Sequence, residues 1–482
     1  MEVLLGLIIG GGVMFVYMTR SFGPGLSPRH SNQASPASVT SLLQAHFHYV
    51  PIHELSISER RFPFRMRADL QGTIDKLMGE EFTVHQFSGV QKEYAFGGVT
   101  ISDCMIESEQ NPAVSVPPEY EELDIGEDQP LRVLKEGLWL LEWKELHFAV
   151  LLSPCGMHGE ITGMQIQVAT PNSAEGRQVT EMFFSKLEEA VSKAQSYRGK
   201  ILSLEQTEHS FSGQSTGITV HKLRQVEREQ VILPEPTLAL LERNVVQFVK
   251  QRPRLRQIGM STKKGLLFYG PPGTGKTHTI HFLAKALEGH TTLLISAEQV
   301  GLLSEYMTLA RLLQPSIVVM EDVDLIARER SQMDSPCEEV LLNKLLNEMD
   351  GLKEEADILF ILTTNRPEAL EAALASRPGR VDQAIEFPLP DEDGRRKLVS
   401  LYAPNIILDD GVTAEIVKRT DGVSASFIKE LMRRIAQFSI ERNGDEQITH
   451  QDVDGALDEM LFKGGSLNLS ILGASERVAD GG

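Results

Sequence analysis

The chain has 482 residues, too many for one ordinary core at roughly 100 to 200 residues per domain, so two or three domains are expected. A net charge of −20 argues against general nucleic-acid binding, which draws its affinity from Lys and Arg neutralising phosphates, and confines any such contact to a local patch. The 3 cysteines, Cys104, Cys155 and Cys337, form no CxxC pair and no even framework, so neither a disulfide scaffold nor a thiolate zinc site is indicated and a reducing compartment fits.

Val3 to Thr19 is an uncharged run rich in Leu, Ile, Val and Gly. Wound as a helix it would reach roughly 25 Å, short for a bilayer core but within range. Residues 1–20 are therefore expected to form a single-pass transmembrane anchor. A cleaved signal peptide is the competing reading, weakened by Glu2 and the absence of Lys or Arg before the run. Arg20 and Arg29 follow it, which by the positive-inside rule leaves the N-terminus outside and the rest of the chain in the cytoplasm. Residues 21–45, dense in Ser, Pro, Gly and Asn, read as a flexible linker.

Residues 46–230 carry mixed signals. Alternating or apolar runs predict strands over Glu81 to Phe87, His147 to Leu152, Ile161 to Ala169 and Gly217 to Leu223, and Val179 to Ala194 has helical amphipathic spacing. The cluster Arg60, Arg61, Arg65 and Arg67, interleaved with Phe62 and Phe64, reads as a solvated or intersubunit face, and the acidic stretch Glu119 to Asp128 as an exposed loop. No chemical motif occurs here. The expectation is an α+β domain that recognises a substrate, an adaptor or its own neighbours.

Residues 270–277 read Gly270-Pro271-Pro272-Gly273-Thr274-Gly275-Lys276-Thr277, the GxxxxGK[ST] phosphate-binding pattern. The apolar run Leu266 to Tyr269 precedes it, and Ile280, Leu283, Ala284 and Leu287 follow on one helical face, so strand, loop and helix come in the required order. Its glycines let backbone N–H groups turn onto phosphates, Lys276 reaches the β and γ oxygens, and the Thr277 hydroxyl suits Mg2+. His278, the next residue, is grouped with the nucleotide-binding positions. No HExxH occurs, and His278 and His281 suit solvent or packing roles better than metal ligation.

Further strands are predicted over Thr292 to Ile295, Ile317 to Met320 and Ile358 to Leu362. The second runs into Glu321, Asp322 and Asp324, and the third into Thr363, Thr364 and Asn365. In open α/β sheets ligands bind at the carboxyl ends of the strands, so these acids would converge on the phosphate loop. Glu321 and Asp322 suit metal binding and water activation, and Asn365 can orient the water. Arg377 and Arg380 offer two guanidinium groups suited to charge developing on a transferring γ-phosphoryl group.

The segments GPPGTGKT, IVVMEDVD, LLNEMDGL, ILTTNRPEAL, SRPGRVD and ITHQDVDGAL occur in the order found in AAA+ ATPases of the classical AAA branch, which residues 231 to 463 resemble. The resemblance implies a P-loop NTPase fold with ATP and Mg2+ as cofactors, Lys276 and Thr277 as Walker A residues, Glu321 and Asp322 as Walker B acids, Asn365 as sensor, and Arg377 and Arg380 as arginine fingers acting in trans. It further implies a ring, usually a hexamer, a helical lid from about Asp393, and a turn at Gly422 to Ser426 that approaches the adenosine.

Three departures from the family pattern stand out. Walker B reads Glu then Asp rather than Asp then Glu, an order shared with the mitochondrial translocase of the Rieske protein, a membrane-anchored AAA protein that the chain also resembles over Ile232 to Glu235 and Asn244 to Gly259. Between Ser296 and Pro315 the usual pore-loop aromatic is missing, and Tyr306 is the only aromatic. After the lid only a short polar tail follows, unlike the membrane-bound AAA proteases with their HExxH domain, so the chain is expected to unfold or remodel without degrading.

The fold expected is α/β, a doubly wound parallel sheet with a C-terminal helical lid, an N-terminal α+β domain and a transmembrane segment. Its divisions are 1–20 anchor, 21–45 linker, 46–230 α+β domain, 231–392 large ATPase domain, 393–465 lid and 466–482 tail. The function expected is a membrane-tethered ATPase that remodels, unfolds or translocates protein. A slow nucleotide-dependent switch or scaffold is the alternative, with a nucleic-acid-directed motor third.

Overall fold

A computed structural model describes residues 6–9, 12–15, 38–48, 50–93, 98–106, 110–157, 160–193, 195–204, 217–324, 347–348, 351, 356–368, 381–443 and 447–463. They divide into a unit up to Ala37 and a second, compact unit from Ser38 onward.

In the first unit the expected membrane helix is replaced by an antiparallel hairpin. Strand β1 (Gly6–Ile9) pairs with β2 (Gly12–Phe15), Ile9 opposite Gly12. Glycines at 10, 11 and 12 lie at the middle of the run, each costing a helix interior ~1 kcal/mol relative to Ala, while the flanking Ile and Val favour extended backbone. Among the described residues no helix is long and apolar enough to cross a membrane. The expectation of a single-pass anchor, and with it the membrane localisation with a cytoplasmic ATPase domain, is corrected accordingly.

The second unit contains two sheets. The first is antiparallel, built from β3 (Leu55–Pro63), β4 (Thr83–Gln91), β5 (Val114–Val116), β6 (Glu119–Leu123), β7 (Leu131–Trp143), β8 (Leu146–Met157) and β9 (Glu160–Pro171). Their order is β3-β9-β8-β7-β4-β5, with β6 on β7. Side chains alternate faces along a strand, and both faces here are covered. Trp139, Leu141, Phe148 and Val150 pack with the helices Arg67–Glu80 and Ala174–Lys193, while Leu138, Leu140, Ala149 and Leu151 pack with Val39–His46 and Ile101–Met105. The four strands and the helix read from sequence in this region are all present, though the last strand, Ile218–Val220, is shorter than expected.

The acidic stretch begins as strand β6 rather than a loop, and the arginine cluster beside it is partly paired. Arg67 donates to Glu121 at 2.5 Å and Arg60 to Glu188 at 3.0 Å. Burial lowers the pKa of Arg65, whose Nε is enclosed without a partner.

The second sheet takes two strands from before residue 231. These are β10 (Ile201–Leu204) and β11 (Ile218–Val220), followed by β12 (Lys264–Tyr269), β13 (Thr291–Ile295), β14 (Ser316–Met320), β15 (Ile358–Thr364) and β16 (Gln383–Glu386). The order is β11-β10-β13-β14-β15-β12-β16, and every pairing is parallel except β10 with β11. Strands buried on both faces read as unbroken apolar runs, which is why β12, β14 and β15 are visible in sequence. Beyond the sheet, helices Glu392–Tyr402, Asp410–Arg419, Ala425–Asn443 and His450–Asp458 enclose a core of their own, centred on Phe427, Leu431 and Val453.

Tyr306, the only aromatic where a pore loop was sought, is fully buried in helix Leu303–Leu312. Its hydroxyl accepts from the Leu204 amide at 2.8 Å and donates to Gln299 at 3.0 Å, tying that helix to β10. Tyr306→Phe removes the acceptor of a buried amide, and denaturant unfolding should register a loss of about 1–3 kcal/mol.

Candidate nucleotide site

Strand β15 lies between β14 and β12, with Met320 opposite Leu362 and Tyr269 opposite Thr364. Strands β12 and β15 therefore end level and β14 ends two residues earlier, so the residues after each of them meet at one edge. The loop after β12 turns at Gly270, Gly273 and Gly275, all at positive φ, where an L side chain is strained. Space forbids a side chain at two of them. A Cβ on Gly270 would meet the Phe387 carbonyl oxygen at 2.2 Å, and one on Gly273 the Ser426 hydroxyl at 2.0 Å.

Lys276 opens the helix Lys276–Ala286 and folds back over the loop, its ammonium donating to the carbonyls of Gly270 at 2.8 Å and Pro271 at 2.9 Å. Burial draws its pKa down to about 8, against the pull of Asp322 and Asp324. A cation held among carbonyls in a partly desolvated pocket is an anion receptor whose bonds can be exchanged for phosphate oxygens.

Glu321 and Asp322 are separated by their partners. Thr277 donates its hydroxyl to Glu321 at 2.7 Å, while Asn365 donates its amide to Asp322 at 3.0 Å. Asp322 sits at φ 48°, a left-handed conformation tolerated by Asp, and its backbone N–H donates to the Thr363 hydroxyl at 2.9 Å. Beneath them lies Asp324, buried, accepting from the Thr364 hydroxyl at 2.9 Å and the Asn365 amide N–H at 3.1 Å. Asp324 thus fixes the backbone from which Asn365 reaches Asp322.

A cavity of about 390 Å³ opens over this arrangement, lined by Pro272 to Thr279, Asp322, Thr363 and Asn365, and closed on its other side by Gln230 to Leu233, Leu398, Tyr402 and Lys429. His278 lies on its wall and donates to the Gln230 carbonyl at 3.2 Å, and burial lowers its pKa. Gly422, at φ 72°, is not on the wall; Ala425 and Ser426, three and four residues further on, are, and the Ser426 N–H donates to the Gly273 carbonyl at 3.1 Å. Arg377 and Arg380 lie outside the described residues. The wall residues from Gln230 to Leu233 and from the last helices carry no chemical pattern; the signal for them was the lead-in Ile232 to Glu235.

Residues 266–389 match the model of the ATPase family associated with various cellular activities (AAA). They are an AAA ATPase domain of the classical branch. The chain is 32% identical over 262 residues to the proteasome-activating nucleotidase of Methanothermobacter thermautotrophicus, covering 51% of this chain and 62% of that one. It is 35% identical over 216 residues to 26S proteasome regulatory subunit 10B of Dictyostelium discoideum, 42% of this chain and 55% of that protein. Against the chloroplastic ATP-dependent zinc metalloprotease FTSH 6 of rice, Oryza sativa subsp. japonica, the identity is 33% over 234 residues, 45% of this chain and 33% of the other. The chain thus spans less than two thirds of the length of these relatives, and the similarity is that of the AAA module.

Removing the Asp324 carboxylate leaves the Thr364 hydroxyl and the Asn365 N–H unsatisfied. Asp324→Ala should lower stability by about 1–3 kcal/mol in denaturant titrations, and Asp324→Asn, which keeps an acceptor, by less.

Proposed function

We propose that this chain binds and hydrolyses ATP and couples turnover to the remodelling or unfolding of protein substrates. The observation that carries this is the division of labour at one edge of the sheet: a loop cation, the Thr277 hydroxyl and the Asn365–Asp322 amide–carboxylate pair line a single cavity, and Thr277 is bonded to the Glu321 carboxylate. In this reading the phosphates replace the Gly270 and Pro271 carbonyls as partners of Lys276, and the loop N–H groups hold them in line. The Thr277 hydroxyl and Glu321 carboxylate, hard oxygen donors in direct contact, would hold Mg2+ together with Asp322. Bound there, Mg2+ would offset charge on the phosphate oxygens. Asp322 accepts the proton of the attacking water, and Asn365 keeps that carboxylate and the water aligned.

Arg377 and Arg380 are proposed as the groups that reach a neighbouring subunit's phosphate, which makes a homo-oligomeric ring, a hexamer by analogy, the active form. Residues 46–230 are proposed as the substrate or adaptor domain and 393–465 as the lid. The protein-directed role is favoured by relatives named for activating or regulating the proteasome. With Tyr306 in the core, that aromatic is not proposed to grip a threaded peptide.

Lys276→Ala should abolish nucleotide binding. Asp322→Asn should retain it while slowing steady-state hydrolysis by roughly 10² to 10⁴-fold. Arg380→Ala should remove the rise in turnover that accompanies assembly. Equal, near-zero rates in the parent and Asp322→Asn would instead favour the nucleotide-gated switch.

A pH dependence follows from Lys276. The ammonium is the form that attracts phosphate, and in the free chain it is held below about pH 8 and lost above it. Nucleotide affinity should be full below that value and fall as the pH rises through it, as read by fluorescence titration at fixed ionic strength. Lys276→Arg, charged throughout, should flatten the fall.

A further inference from the structure

At the far end of the N-terminal sheet, residues distant in sequence bring imidazoles and a carboxylate together. Strands β7 and β8 are joined by Lys144 and Glu145, both at positive φ (50° and 69°), and the tight turn sets Glu142 directly opposite His147. Strand β4 runs along the other side of β7, and its register slips between Val84, opposite Leu141, and Gln86, opposite Leu140. His85 is the extra residue of that bulge, and such bulges re-aim a side chain. The result is that His85, Glu142 and His147 each offer a donor atom within 4.8 Å of the other two, His85 Nε2 standing 2.8 Å from Glu142.

Helix Val39–His46 ends over the same spot. His46 donates Nε2–H to the carbonyls of Leu141 and Phe148, at 3.1 and 3.0 Å, and its ring packs edge-on to His147. His48, at φ 51°, brings its Nε2 to 3.1 Å from that of His147. His147 Nδ1 is enclosed with no hydrogen-bond partner, a polar atom whose burial is uncompensated by the protein.

We propose that His85, Glu142 and His147 bind a divalent transition cation of the Zn2+ class, with water completing the shell. Two imidazoles and one carboxylate are a donor set that Zn2+ takes in open tetrahedral sites, and imidazole nitrogen selects against Mg2+ and Ca2+. The cation clasps the β4 bulge to the two strand ends at the β7–β8 turn. It therefore stabilises the N-terminal sheet and stands apart from the nucleotide chemistry.

The test uses the full chain without a polyhistidine tag, stripped with chelator and titrated calorimetrically with Zn2+ in excess Mg2+. One equivalent per chain is expected, with affinity at least about tenfold weaker in His85→Ala and in Glu142→Gln, and unchanged in Glu321→Gln, which isolates the nucleotide site. The thermal midpoint should rise with Zn2+ in the parent and not in His85→Ala, a substitution on an exposed bulge. Co2+ should give the visible bands of a tetrahedral nitrogen–oxygen site in the parent alone. Absence of saturable Zn2+ binding, or stoichiometry and affinity indifferent to both substitutions, overturns the proposal and leaves His85 and Glu142 as a simple ion pair.

Discussion

The position of one strand governs the candidate nucleotide site. Because β15 is hydrogen-bonded to β14 on one side and β12 on the other, three chain segments far apart in sequence must finish at the same edge. Parallel pairing allows only the carboxyl ends to meet there, and the register sets Asn365 facing Asp322. Asp324 then locks this edge from below, converting strand alignment into side-chain alignment. The Glu-Asp order fits the same frame: the longer carboxylate, Glu321, reaches Thr277, and the shorter one, Asp322, stays close to Asn365.

The legible parts of the sequence were those whose chemistry is local. A glycine-rich loop must be contiguous to wrap phosphate, and strands buried on both faces announce themselves as apolar runs ending in acids. Strand β10 escaped because four residues carry no period and belong to the sheet only through distant partners, while β11, legible as a strand, gave no sign that it belongs to the nucleotide-site sheet. The run Val3 to Thr19 misled because length and apolarity do not separate helix from hairpin; the glycine triplet at 10 to 12 was the discriminating feature. Tyr306 shows a related limit. The sequence places it near the start of a helix, and only packing against β10 reveals it as a core residue.

The histidine group was illegible for another reason. His48, His85, Glu142 and His147 share no spacing rule, since a turn, a bulge and a helix end unite them. Metal motifs readable from sequence put ligands on one helix or one loop, whereas this set is composed by sheet register.

One contiguous body of apolar side chains runs from Phe148 and Phe183 beneath the antiparallel sheet through Leu202 and Leu204 to Leu293, Tyr306 and Phe360 of the parallel one. Such close-packed interiors have little compressibility and transmit displacement without a hinge. The strands and helices that share this core are thus packed as one stiff body. The helices after Glu392 keep a separate core and touch the loop through the Ser426–Gly273 bond. That bond joins two separately packed cores, so the two bodies are held to one another far less firmly than either is held within itself.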